Sequence, residues 1–464
     1  MKTYPLPFVS AAALLFFWVG VIGVVDANAQ AKFGDMVGLN VKFLQGEPQE
    51  NIKELPELGV KWVRDAVLWR NMEPRPGVYN KFPADFEERL KFYRAHNIGV
   101  CFPLVFANGD AYPATEKNPL NPINAPAYGR YAAQIARMLK ASGVKFVLEV
   151  WNEPHNFIIL KMAGGEWNGR PPSPWVDHYV AMVNEAVRQV KAIDPKIKLM
   201  TDEDVWMNHY QFLAKGLPPA LDGFGIHPYW NKNSSAPEDT GISANTSWAL
   251  PFQLTDEDRS LASAITRLKK EGQRKMNRTP LIWATEVGSP IGATVAVSPI
   301  NPDGVVTEEA VAAYLLRSMI TLAASGVETV YWFSSWDGPD GYYGLCTNDG
   351  TRRKAFEAFK VMTSQLGEMT YAAHVIGKDH RTTGVQAHGF TSRTGNKTVL
   401  WNIDGEGVFV GPKVSNYTPI RITDLMGQNI PVKLNRDGYL LLTLSEAPVY
   451  VTGLQAAFTL TRAR

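Results

Sequence analysis

Cysteine is nearly absent. The 464 residues hold only Cys101 and Cys346, which rules out a disulfide-rich scaffold. Cys101 opens a predicted buried strand and Cys346 lies in a late loop, contexts that favour two free thiols over one bridge. There is no His-Glu-x-x-His and no cluster of Cys or His, so neither a metal nor a cofactor is expected. Net charge is missing too: a balance of +2 argues against a nucleic-acid partner. No nucleophile elbow of the Gly-x-Ser-x-Gly kind is evident. Gly405-x-Gly407 with Gly411 has the wrong spacing for a nucleotide loop and no strand-loop-helix around it. Beyond the N-terminus no apolar run is long enough to span a bilayer.

What is present suits a large globular chain. Apolar residues make up 45%, ordinary for a protein with a sizeable core. Thirteen Trp and seventeen Tyr are many; their faces stack well on sugar rings, although most of them read as core or ordinary surface. Residues 1–29 read as a signal peptide. Lys2 precedes an apolar stretch from Leu6 to Val25, and Ala27-Asn28-Ala29 fits a small-x-small cleavage site. The competing reading is a retained single membrane anchor. The expected location is secreted or periplasmic, with membrane contact only if that segment stays.

Strand-like runs alternate with amphipathic helical runs from about residue 35 to 366. The alternation implies a parallel sheet, and about eight units imply a closed (β/α)8 TIM barrel. Predicted strands are Met36 to Phe43, Trp62 to Ala66, Ile98 to Val105, Val147 onward, Lys198 to Thr201, Gly223 to Ile226, Leu281 to Ala284 and Thr329 to Phe333. From about Gly367 short alternating runs such as Lys397 to Ile403 and Tyr439 to Leu444 are separated by turn formers. They read as a C-terminal all-β sandwich. The expected domains are therefore 1–29 signal peptide, 30–366 barrel and 367–464 sandwich.

One stretch organises the rest: Val147-Leu148-Glu149-Val150-Trp151-Asn152-Glu153-Pro154. Its apolar start reads as a buried strand, and Pro154 stiffens the exit. Glu153 and Asn152 are left at the carboxyl end, the face on which barrel enzymes carry their chemistry. Trp151-Asn152-Glu153-Pro154 resembles the acid/base motif of the clan of retaining glycoside hydrolases built on this barrel. With Glu149 at its offset and the sandwich behind the barrel, the chain most resembles glycoside hydrolase family 39, though His155 stands where that family's usual pattern has Asn.

The resemblance implies an exported retaining β-glycoside hydrolase acting on a polysaccharide or oligosaccharide. It implies Glu153 as acid/base and Glu286, on the seventh strand in Ala284-Thr285-Glu286-Val287-Gly288, as nucleophile. Acetal cleavage needs such a carboxyl pair. Around it, Asn152 can donate to the sugar 2-hydroxyl and Tyr229 can orient Glu286. His227 can bond a sugar hydroxyl or the neighbourhood of Glu153. Arg64 can favour the ionised nucleophile, and Trp336 can floor the sugar. Weaker expectations from loop position are Asn40, Asn108 and Trp167. Trp167, Trp248 and Phe252 are expected to wall a groove, and Glu73 is expected to hold the loop after strand 2. The acidic run Asp202-Glu203-Asp204 reads as a solvated loop, or as part of the cleft. A transglycosylase would keep the same pair; a non-catalytic carbohydrate-binding protein would not need it.

Overall fold

In the computed structural model, residues 31–156, 158–205, 208–230, 237–238, 260–374, 384–414, 419–454 and 458–463 are described. Eight parallel strands close a barrel: β1 (Val37–Asn40), β2 (Trp62–Arg64), β3 (Gly99–Pro103), β4 (Phe146–Val150), β5 (Leu199–Thr201), β6 (Gly223–Ile226), β7 (Leu281–Val287) and β8 (Thr329–Trp332). The ring closes where Gly38 of β1 faces Trp62 of β2 on one side and Tyr331 of β8 on the other. All of β1, β3 and β6 is buried, as expected of strands covered on both faces.

The strand limits differ from expectation in a way that matters. β4 stops at Val150, three residues before Glu153, because Trp151 turns to a positive φ of 72°. β7 instead runs on to Val287, and its register with β8 shifts between Ala284 and Val287. Such an irregularity re-aims side chains at the rim of a barrel, and Glu286 sits within it.

The helices follow their sequence signals. In the helix Ala125–Ser142, Asn124 Oδ1 accepts from the Ala127 amide at 3.0 Å, Pro126 lies in the first turn and Gly143 closes the end at φ 75°. Those are favourable start and stop residues. The helix Glu308–Ala324 is buried around nearly its whole circumference. It packs on β8 and on the helix Lys354–Leu366, and it also touches the first strand of the sandwich. A short helix after β5, His209–Lys215, has no counterpart in the sequence reading. No helix of the described residues is long and apolar enough to cross a membrane.

After the barrel come β9 (Thr370–His374), β10 (Val385–Ser392), β11 (Gly395–Asn402), β12 (Gly407–Lys413), β13 (Arg421–Thr423), β14 (Asn429–Ile430), β15 (Lys433–Leu434), β16 (Tyr439–Leu444), β17 (Val449–Thr452) and β18 (Thr461–Arg462). They form a six-stranded sheet, β14-β13-β17-β11-β10-β9, and a four-stranded sheet, β15-β16-β12-β18. Their shared core holds Val385, Leu400, Phe409, Ile422, Leu442 and Val451. Phe390, Val399, Trp401 and Tyr450 belong instead to the continuous core of the barrel. Residues 31–464 are one compact unit. Cys101 and Cys346 are both free and buried.

Candidate active site

Inside the barrel the side chains that alternate with core residues are polar near the carboxyl end. Arg64 ends β2 and Glu149 precedes the end of β4. The Arg64 Nε donates to Glu149 Oε2 at 2.6 Å. Space for this pair depends on Gly225 in β6, where a Cβ would stand 3.0 Å from Glu149 Oε1 and 2.7 Å from the Thr201 carbonyl oxygen. Burial pushes the Glu149 carboxyl well above the usual carboxylate range, against the pull of Arg64.

Arg64 spends its remaining donors upward. Nη1 donates to Glu286 Oε1 at 2.6 Å and Nη2 to Asn152 Oδ1 at 2.6 Å. The second bond fixes the Asn152 amide, leaving its NH2 as the donor for a ligand. Tyr229 donates to the other Glu286 oxygen at 2.9 Å. Glu286 is thus held at both oxygens. Asn40 braces this side by donating to the Thr285 carbonyl at 2.9 Å.

Glu153 lies at a positive φ of 44°, and with Trp151 it brackets Asn152 by two residues in the left-handed region. Non-glycine residues there cost on the order of 1–3 kcal/mol each and persist where the surroundings over-determine them. The surroundings do: the Glu153 amide donates to Asp202 Oδ2 at 2.7 Å. Its carboxyl meets His227 Nδ1 at 2.9 Å through Oε1 and Asn156 Nδ2 at 3.1 Å through Oε2. Burial raises the Glu153 carboxyl above its ordinary value, His227 opposes this, and the charge of Glu286 adds to it.

The two carboxyl groups face each other closely. One oxygen of Glu153, one of Glu286 and a ring nitrogen of His227 all lie within 4.8 Å of one another. One group raised by burial and one gripped by a guanidinium can deliver a proton to one atom while attacking its neighbour.

Behind Glu153 lies a layer that joins His227 to the acidic run Asp202-Glu203-Asp204. His227 has Asp202 Oδ1 at 3.0 Å from Nε2. Asp202 also accepts from Thr285 Oγ1 at 3.1 Å and is fully buried. Burial works against a charge on His227, yet Asp202 and Glu286 outweigh it and hold the imidazole well above its ordinary value. Burial also opposes the charge on Asp202, and His227 and Arg64 more than reverse that, holding it below the usual range. The signal was present: three acids directly after a barrel strand, on the rim where barrel chemistry sits. Of the two readings of that run, the solvated loop fails for Asp202 and Glu203, which have no exposure.

Glu203 and Asp204 continue this layer. Both reach His155 Nδ1, Asp204 at 2.8 Å. Burial opposes a charge on that imidazole, but Glu203 and Asp204 raise it to about 10. His155, Glu203 and Asp204 each bring a potential ligand atom within 4.8 Å of the others. Ion pairing accounts for that arrangement, since both carboxylates converge on the same ring nitrogen.

A cavity of about 450 Å³ opens above the pair, lined by Asn152, Glu153, Glu286, Tyr229, Phe333 and Tyr343 among others. Two expectations need correction. Trp336 does not line it, because Ser335 is pinned to the Asn40 carbonyl at 2.8 Å and Trp336 pairs with Cys346 along the returning loop. Phe333 and Tyr343, 5.1 Å apart edge to face, supply the aromatic wall instead. His227 does not line it either; it sits behind Glu153 with 1% exposure, which leaves its contact with Glu153 and removes the one with a sugar. Arg64, Asn152, Tyr229 and Asn40 do line the cavity.

Asn108 is a structural residue, donating to the Glu73 carbonyl at 2.8 Å and accepting from the Ala111 amide. Glu73 holds its loop, accepting from Trp69 Nε1 at 2.6 Å and Tyr112 at 2.7 Å. Trp167 is exposed, its ring 6.4 Å from that of His155. Trp248 and Phe252 lie outside the described residues.

No protein-family model and no curated protein matches this chain. Solved structures do share its fold. A family 39 glycoside hydrolase from Bacteroides cellulosilyticus WH2 aligns over 92% of this chain and 82% of its own, with TM-score 0.67 and 18% identity. A conserved exported protein from Bacteroides fragilis aligns over 90% and 96%, with TM-score 0.54 and 12% identity. A family 30 endoxylanase from Clostridium papyrosolvens C71 aligns over 92% and 97%, with TM-score 0.53 and 11% identity. The shared feature at these identities is the architecture: a (β/α)8 barrel followed by a β-sandwich.

Proposed function

We propose that this chain is a retaining β-glycoside hydrolase, exported by its first 29 residues, that cleaves a polysaccharide or oligosaccharide by double displacement. One observation carries the reading: carboxylate oxygens of Glu153 and Glu286 within 4.8 Å of each other at the open end of the barrel. Inverting enzymes place their carboxyl groups roughly 6.5–9.5 Å apart to admit a water, and retaining ones about 5 Å apart. The similarity to the family 39 and family 30 folds supports the same class.

In this mechanism Glu153 protonates the leaving oxygen while Glu286 attacks the anomeric carbon. The resulting glycosyl ester is opened by water, from which Glu153, now ionised, takes a proton. Arg64 and Tyr229 orient Glu286. Asn152 donates to the 2-hydroxyl, and Tyr343 and Phe333 wall the sugar. Export is supported by the apolar run from Leu6 to Val25 and the small-residue site after it.

The test pairs two variants on aryl β-glycosides. Glu286→Gly should lose turnover and recover it with azide, giving the inverted glycosyl azide. Glu153→Gln should lose roughly 10²–10⁴-fold on poor leaving groups, the usual range for a general acid, and far less on activated ones. Equal losses on both leaving groups, or no azide product, would remove these assignments.

A further inference from the structure

The cavity has a second polar side that the mechanism does not use. After β1 ends at Asn40 the chain enters a short turn, Phe43–Gln45. Lys42 lies between them, and its backbone is fixed: its amide donates to Glu47 Oε2 at 2.6 Å, and Glu47 also accepts from Ser335 Oγ at 2.7 Å. The side chain is 5% exposed, yet it lines the cavity. Nζ donates to Asp340 Oδ2 at 2.6 Å and lies 3.7 Å from the centre of the Phe333 ring. Gln45 Nε2 reaches the same Asp340 oxygen at 3.2 Å. A lysine has three donors, and the carboxylate and the ring face occupy two. Asp340 is half-exposed, lines the same cavity, and keeps Oδ1 without a hydrogen bond among the described residues.

We infer that Lys42 and Asp340 form a donor–acceptor clamp for hydroxyls of the sugar attacked by Glu286, and that this sugar is neutral rather than a uronate or a sulfated unit. This rests on the proposed function for the identity of the attacked sugar. A cis or vicinal hydroxyl pair can accept from the free Lys42 donor and donate to Asp340 Oδ1. The charge arrangement decides against an anionic sugar. Among the described residues, each cation lining the cavity already has its counter-ion: Lys42 has Asp340, and Arg64 has Glu286. Of the other acids lining it, Asp65 is held by Arg89 at 2.7 Å, and Glu153 carries the proton that it donates in the proposed mechanism. A carboxylate or sulfate on the sugar would meet no unpaired cation among the described residues and would stand beside Asp340 and Glu286. Such desolvated like charges are how a site rejects a wrong ligand.

The test measures binding, not turnover, so it separates the clamp from the catalytic reading. Calorimetry of the mature protein with neutral iminosugars of several configurations, and with their uronate counterparts, gives a neutral-to-uronate affinity ratio. In the native protein at least one neutral compound should bind and its uronate counterpart should bind at least tenfold more weakly. Lys42→Met should weaken the neutral compound roughly 10- to 100-fold, the range for one hydrogen bond to a charged group. Asp340→Asn sits at a half-exposed position that tolerates the change. It should release the Lys42 charge and shift the ratio toward the uronate. The clamp is overturned if the uronate binds native protein more tightly, or if Lys42→Met and Asp340→Asn both leave the ratio within twofold. A protein that binds neutral sugars through Lys42 but hydrolyses no β-glycoside keeps the clamp and loses the catalytic reading. Hydrolysis untouched by Lys42→Met does the reverse. Binding of no compound in the panel contradicts both.

Discussion

Asp202 holds three other groups in place at once: the Glu153 amide, the Thr285 hydroxyl and the His227 ring. It touches no part of the cavity, so in our account it is a positioning residue. Asp202→Asn should lower kcat about 10- to 100-fold, as expected when a charged hydrogen bond to the Glu153 backbone weakens. The pH profile gives the sharper readout. Asp202 keeps His227 charged, and charged His227 favours the ionised form of Glu153. Without that charge the Glu153 carboxyl rises further. Activity that needs protonated Glu153 is lost as pH rises through its pKa, so the descending limb should move to higher pH. A limb that stays put or moves down contradicts this coupling. Asp202 was hard to read in the sequence because acidic runs in loops are mostly solvated, and only the strand count placed this one on a catalytic rim.

At the scale of elements, the alternation of strand and helix patterns was enough to order the barrel, since parallel strands buried on both faces leave unmistakable apolar runs. It could not place their ends. Trp151 continues the apolar, aromatic pattern of β4, so only its backbone conformation reveals that the strand has stopped. Thr285-Glu286-Val287 breaks the pattern of β7 with a carboxylate, although the backbone pairing continues. For β1 the pattern carried the strand on to Phe43, which hid Lys42 inside it; the observed end at Asn40 puts Lys42 on the loop facing the cavity. Trp336 is an aromatic near a strand end, a position that suggests a sugar floor. The hydrogen bonds of Ser335 and the pairing with Cys346 that turn it away join residues far apart in sequence, and no local pattern encodes them.

At the scale of the molecule, barrel and sandwich share polar as well as apolar contacts. Arg317, fully buried in the helix Glu308–Ala324, makes a two-pronged pair with Glu238 at 2.8 and 2.7 Å. Trp401 of β11 donates to the same carboxylate at 2.8 Å. Glu238 follows β6 in the chain, so this contact ties the sandwich to the barrel. Burying such a pair stabilises only if all partners are satisfied. Trp401→Phe keeps most of the volume and removes the indole donor, which should cost about 1–3 kcal/mol. Because the core is continuous, calorimetry should show one unfolding transition moved down as a whole. Two separated transitions, with only one of them shifted, would mean that the sandwich unfolds independently.

The spacing of Glu153 and Glu286 bears directly on the stereochemistry of the product. With one oxygen of each within 4.8 Å of the other, the proposed mechanism has no water between a carboxylate and the anomeric carbon, and Glu286 forms the bond itself. Two successive inversions then leave the anomeric configuration unchanged. Proton NMR of the first product released from a β-glycoside by the native enzyme reads this directly, before mutarotation mixes the anomers. The β-anomer should appear first, with the α-anomer growing in later. An α-anomer formed first would contradict it.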